Sequence, residues 1–157
     1  MDYWHYDVRS AREAHDKFNL PNRPIALFVG RIADMKGIRE ILDAVQSNRL
    51  PYCVVLAGEI NANTEEDKEK WDVTKLIRSI EEQYPSRLRW LGFQNDENLR
   101  RLYAAAEIGL MPSTHEPFGI VALEFMAMGV PLIATEIDGL GELVVDSTGE
   151  EYALIVD

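Results

Sequence analysis

Two short apolar runs, Ile25-Ala26-Leu27-Phe28-Val29 and Tyr52-Cys53-Val54-Val55-Leu56-Ala57, restrict the possible folds more than any other feature of the chain. A strand with one wet face alternates polar and apolar residues. A continuous apolar run signals a strand covered on both faces, as in the interior of a parallel sheet. Between the runs, Gly37 to Ser47 carries Ile38, Ile41, Leu42 and Val45 at helical spacing, so the first unit reads as βαβ. The same rhythm continues. A helix at Ala11 to Phe18 ends at the connector Pro21 to Pro24, and a polar loop at Asn61 to Lys70 precedes a helix through Trp71, Leu76, Ile77 and Ile80. Strands follow at Leu88 to Leu91, Ile108 to Met111, Val130 to Ala134 and Tyr152 to Val156, with a helix at Asn95 to Ala105 that has Asn95 as N-cap and Asn98 at N3. Strands alternating with helices predict an α/β fold, a doubly wound parallel sheet of about six strands with helices on both faces, which takes ligands beyond its strand carboxyl ends.

The segment Ser113 to Gly129 gives that edge its chemistry. Pro117 is favoured at a first helical position, which predicts a helix from Pro117 with Glu116 in the loop at its mouth. From Pro117 to Val130 the only charged side chain is Glu124, so the helix reads as apolar on nearly every face and packed into the protein. A buried carboxylate there needs a cation, donors or a ligand's hydroxyl pair. At about 1.5 Å per residue the two glutamates lie roughly 12 Å apart along the helix, near the span from ribose to sugar in a nucleotide sugar. The amides of Gly119, Ile120 and Val121 would face an anion at the helix start. For Glu116, complementing the helix dipole is an equally simple role.

A second loop, Gly30-Arg31-Ile32-Ala33-Asp34-Met35-Lys36-Gly37, puts two cations at the same edge. Arg31 and Lys36 can clamp a diphosphate, or be ordinary solvated charge. Leu91-Gly92-Phe93 can face a base or simply pack. Asp138-Gly139-Leu140-Gly141-Glu142-Leu143 reads as a glycine-rich loop after the fifth strand, and His115 as structural or exposed. Neither a dinucleotide fingerprint nor a P-loop follows the first strand, and no Cys/His cluster forms a zinc site.

Composition closes off other classes. With 157 residues and 46% apolar content, the chain fits one domain with a full core. A net charge of -11 argues against a nucleic-acid or anionic-membrane partner. Cys53, the single cysteine, is expected in the core of a protein from a reducing compartment. No run reaches the length of a membrane span or a signal-peptide core, so the expectation is a cytoplasmic protein.

Taken in order and spacing, three motifs resemble the donor-binding C-terminal domain of retaining GT-B glycosyltransferases, the group that includes glycogen synthases. They are Gly-Arg with a downstream Lys-Gly after strand one, Glu-Pro-Phe-Gly-Ile-Val-Ala-Leu-Glu, and Gly-Val-Pro-Leu-Ile-Ala-Thr followed by Gly-Leu-Gly-Glu. The resemblance covers about Ile25 to Leu143. It implies a Rossmann-like domain at 25–157, one half of a GT-B fold, preceded by a linker and helix at 1–24. It further implies Arg31 and Lys36 on the diphosphate, Glu116 on the transferred sugar, and Glu124 on ribose hydroxyls. Gly30, Gly92, Phe118 and the Gly119, Ile120 and Val121 amides would complete the donor site. The substrate would be a UDP-, ADP- or GDP-hexose, with no cofactor and no metal.

The pattern is also departed from. Ala57-Gly58-Glu59 leads into a long acidic loop where relatives have a compact glycine-rich turn, and Gly141 stands where proline is common. One domain of this size leaves no room for an acceptor-binding N-terminal domain, so the chain is expected to be a donor-binding half, inactive alone. The alternatives are a catalytically idle nucleotide-binding or assembly module, and a GT-B epimerase or phosphorylase relative.

Overall fold

The structure, a computed structural model, describes residues 8–47, 50–60, 67–144 and 153–156. Its elements run α1 (Val8–Phe18), β1 (Ile25–Val29), a 3-10 turn (Asp34–Lys36), α2 (Ile38–Gln46), β2 (Cys53–Ala57), α3 (Asp67–Gln83) and β3 (Leu88–Gly92). Then come α4 (Asp96–Ala105), β4 (Ile108–Met111), α5 (Ile120–Ala127), β5 (Leu132–Thr135), α6 (Asp138–Val144) and β6 (Leu154–Val156). All strands pair in parallel in the order β3-β2-β1-β4-β5-β6. The doubly wound α/β fold expected from the apolar runs is what forms.

Alternation along β1 and β2 explains why both strands are apolar throughout. Ile25, Leu27, Cys53, Val55 and Ala57 pack on one face with Ala14, Leu102, Tyr103, Ala122, Phe125 and Leu140, from α1, α4, α5 and α6. Ala26, Phe28, Val54 and Leu56 pack on the other with Ile38, Ile41, Leu42, Ile77 and Ile80, from α2 and α3. Each face thus has its own core. Burial pushes the Cys53 thiol up to about 11, so it stays protonated and serves as a small core residue.

Four local expectations need correction. The helix expected from Pro117 begins at Ile120, because Gly119 takes a left-handed conformation (φ 60, ψ 32) that cannot lie inside a right-handed helix. That helix is not packed on every side: Ala122 and Phe125 are buried, whereas Ile120 and Leu123 are exposed. The segment read as a glycine-rich loop is mostly the helix α6. The polar loop expected through Lys70 gives way to α3 at Asp67, its earlier part lying outside the described residues, as does Tyr152.

Candidate functional site

The sheet order reverses at β1, whose neighbours β2 and β4 lead away in opposite directions. At such a switch point the loops leaving the two central strands diverge and open a crevice at the carboxyl edge. Here those loops are Gly30 to Gly37 after β1 and Pro112 to Gly119 after β4. Gly37 joins them tightly. It is left-handed (φ 69, ψ 29), and a Cβ on it would sit 2.0 Å from the Pro112 carbonyl oxygen. Beside it, the Thr114 amide donates to the Met35 carbonyl at 2.9 Å.

This contact brings together residues 80 positions apart in sequence. Lys36 Nζ lies 2.6 Å from Glu116 Oε2 and donates to the His115 carbonyl at 3.3 Å. The two side chains are 16% and 17% exposed, so the pair is largely withdrawn from water and each charge depends on the other. Arg31 is exposed and, among the described residues, has no hydrogen-bond or ion-pair partner. Around these groups is a cleft of about 240 Å³ lined by Gly30, Arg31, Lys36, Glu116, Phe118, Ile120 and Val121 with strand residues beneath. A second cleft of about 280 Å³ shares Val29, Gly30 and Arg31 and continues to Gly58, Glu59, Phe93 and Gln94. Arg31 stands where the two meet.

The start of α5 supplies donors. Glu116 Oε1 accepts from the Gly119 amide at 3.4 Å, which removes one of the three N–H groups expected to face an anion. The Ile120 and Val121 amides have no acceptor among the described residues, and both residues line the first cleft. Because Glu116 precedes the helix instead of riding on it, the helical rise does not measure the distance between the glutamates. Phe118 is 76% exposed at the cleft's rim, and Phe93 is 68% exposed at the second cleft. Gly92 ends β3 in a left-handed conformation (φ 65) and lines neither cleft.

Glu124 has found a donor that sequence reasoning did not foresee. Tyr103, in α4 and fully buried, donates its hydroxyl to Glu124 Oε2 at 2.5 Å, with its ring edge-on to Phe125 at 4.8 Å. Burial first, and the neighbouring carboxylate second, raise the tyrosine's pKa, so it remains a donor at any physiological pH. Glu124 is half-buried and lines neither cleft. A second unforeseen residue is Asp138, at the start of α6. Its Oδ2 accepts from the His115 ring at 2.7 Å and from the Glu116 amide at 3.2 Å. No sequence signal marks either partnership, since each joins residues more than twenty positions apart.

A parallel sheet with two cations, a carboxylate and free amides at its switch point suits a phosphorylated ligand that also carries hydroxyls. Comparison with known proteins gives the family. Residues 10–152 match the family model described as Glycosyl transferases group 1. An uncharacterized glycosyltransferase of Methanocaldococcus jannaschii is 31% identical over 150 residues, covering 90% of this chain and 36% of that protein. The alpha-D-kanosaminyltransferase of Streptomyces kanamyceticus is 33% identical over 141 residues, covering 87% and 34%. The chain thus spans about a third of the length of these curated relatives. Among solved structures, Anabaena HepE in complex with UDP-glucose has a TM-score of 0.78 over 99% of this chain and 40% of that one, at 22% identity, a likeness of fold. With its six-stranded parallel sheet matching GT-B glycosyltransferase domains, the chain belongs to the glycosyl transferases group 1 family.

Proposed function

We propose that this chain is the donor-binding half of a retaining glycosyltransferase that transfers a hexose from a nucleotide diphosphate sugar. The observation that carries the reading is the meeting of Lys36 and Glu116 at the switch point, beside Arg31 and two free amides. A nucleotide sugar presents a base, a ribose, a diphosphate and a sugar in line. The second cleft, with exposed Phe93, suits the base; Arg31, at the junction, meets the diphosphate. Lys36 has three donors, so it can contact phosphate while keeping Glu116, whose carboxylate accepts from sugar hydroxyls. Glu124, steadied by Tyr103, lines neither cleft, and its assignment to the ribose hydroxyls rests on the family resemblance.

The chemistry follows from charge. When the bond between the anomeric carbon and the diphosphate oxygen breaks, negative charge grows on the leaving group. Arg31, Lys36 and the Ile120 and Val121 amides are already in place to neutralise it, so little reorganisation is needed in the transition state. The acceptor would attack from a second, acceptor-binding domain elsewhere in the full-length protein, and this chain alone would be inactive. We read the reaction as independent of metal and the enzyme as cytoplasmic. The bound UDP-glucose of HepE supports a nucleotide-sugar donor.

In the full-length enzyme, Arg31→Ala and Lys36→Ala should each cut turnover by roughly 10²- to 10³-fold, the scale for losing one preorganised group that stabilises developing charge. Steady-state kinetics with a nucleotide sugar checks this. Near wild-type turnover in both would overturn the assignment.

A further inference from the structure

Asp138 holds a backbone conformation that few residue types adopt. Its φ is 41, in the left-handed region, which glycine enters freely and, among other residues, Asn and Asp enter most often. Its side chain is 43% exposed, so burial does not force it there. What the residue gains is a position from which one carboxylate oxygen accepts twice. Oδ2 takes the His115 ring N–H at 2.7 Å and the backbone N–H of Glu116 at 3.2 Å. An ionised carboxylate can only accept, so His115 carries its proton on Nδ1. The next residue adds a second hold. A Cβ on Gly139 would lie 2.1 Å from the Pro117 carbonyl oxygen, so the start of α6 presses against the backbone immediately after Glu116.

The loop that carries Glu116 is therefore gripped from both sides. Met35 and Lys36 hold it from the β1 side, through the Thr114 amide, the His115 carbonyl and the Glu116 carboxylate. Asp138 holds it from the β5 side, through the backbone of Glu116 itself. Strained backbone persists where surrounding contacts over-determine it, and here those contacts fall on the short run from Thr114 to Pro117 that carries Glu116. We infer that Asp138 is a positioning residue that sets where the Glu116 carboxylate meets the transferred sugar, acting through the Glu116 amide and the His115 ring. The inference rests on the assignment of Glu116 to the sugar end of the donor.

Two substitutions in the full-length enzyme separate position from stability. Asp138→Gly removes the acceptor and relieves the strained φ, whereas Asp138→Asn keeps an acceptor oxygen and tolerates the left-handed region. The expected result for Asp138→Gly is an unchanged or raised Tm and unchanged inhibition by the plain nucleoside diphosphate. Its kcat with the nucleotide sugar should fall roughly 10- to 100-fold, as for a small misplacement of a substrate-positioning group, and Asp138→Asn should recover part of it. A kcat near wild type in Asp138→Gly would overturn the inference. So would an equal loss of nucleoside diphosphate affinity, which would mean a general collapse of the edge. Glu116→Gln, run in parallel, tells the two readings apart. If it keeps wild-type turnover, the sugar assignment itself fails; if it loses turnover while Asp138→Gly does not, only the positioning role fails.

Discussion

Helices α4 and α5 both start just beyond a strand's carboxyl end, yet their first turns are built in opposite ways. In α4, Asn95 is extended (φ -76, ψ 167) and its side chain accepts from the Asn98 amide at 3.0 Å, while Asp96 and Glu97 place negative charge against the positive end of the helix. In α5, Gly119 is left-handed, caps with no side chain, and is followed by no acidic residue in the first turn. In both helices the third amide is met from within the chain, Asn98 by the Asn95 side chain and Ala122 by the Gly119 carbonyl at 2.8 Å, and the first two have no acceptor among the described residues. In α4 those two belong to Asp96 and Glu97, whereas in α5 they belong to apolar residues that line a cleft. A helix start that carries its own cap and its own negative charge is a structural joint. One that leaves its first two amides beside a cation pair is prepared for something to arrive.

Gly37→Ala should damage the functional edge most. The new Cβ would fall 2.0 Å from the Pro112 carbonyl oxygen, an atom of the backbone that cannot swing aside, at a φ of 69 that alone costs about 1–3 kcal/mol. The strands' exits must separate, and Lys36 moves away from Glu116 with them. Both Tm and nucleotide-sugar affinity by calorimetry are expected to drop. Wild-type affinity in a folded Gly37→Ala variant would mean that the close approach of the two loops does not build the donor site.

Asn95→Ala sharpens the other side of the comparison. Losing an N-cap costs about 1 kcal/mol of stability, and although Leu99 of α4's first turn lines the second cleft, neither Asn95 nor Asn98 does. A modest fall in the urea midpoint with unchanged nucleotide-sugar affinity is expected. If affinity fell in step with stability, the first turn of α4 would belong to the site as well.

The same contrast explains what could be read from the sequence. The start of α4 was legible to the residue, because a cap is a local bargain between Asn95 and Asn98. The strands β1 and β2 were legible because burial on both faces leaves an unbroken apolar run. The start of α5 was misplaced since two local rules compete there. Pro117 favours a first turn, but Gly119 two residues later can go left-handed, and packing against Leu140 and Leu143 of α6 favours the second. In α6 the glycines Gly139 and Gly141 signal a loop by composition, although Gly139 lets the helix press on Pro117. The candidate residues Arg31, Lys36 and Glu116 carried a motif and do line one cleft. Tyr103 and Asp138 carried none: their hydroxyl and carboxylate find partners through the fold, and an aromatic on an amphipathic helix reads simply as core.

The outer face of α4 offers the smallest effect and a clean sign. Arg101 donates to Glu13 of α1 at 3.0 Å and to Glu97 one turn earlier at 2.5 Å, with its own side chain 16% exposed. These bonds to Arg101 are the largest cause holding both carboxyls below their usual range. A carboxyl with a depressed folded pKa contributes stability above its unfolded pKa and loses it as pH falls through the folded one. Arg101→Met keeps much of the stem's packing and removes the charge. The variant should therefore be slightly less stable than wild type at pH 7. The gap should close as pH drops below about 4, where glutamates protonate, and shrink with added salt. Urea midpoints at pH 7 and pH 3 measure it. A gap that persists at pH 3 would assign the loss to the stem's packing between α1 and α4, and the ion pairs would then contribute nothing to that joint.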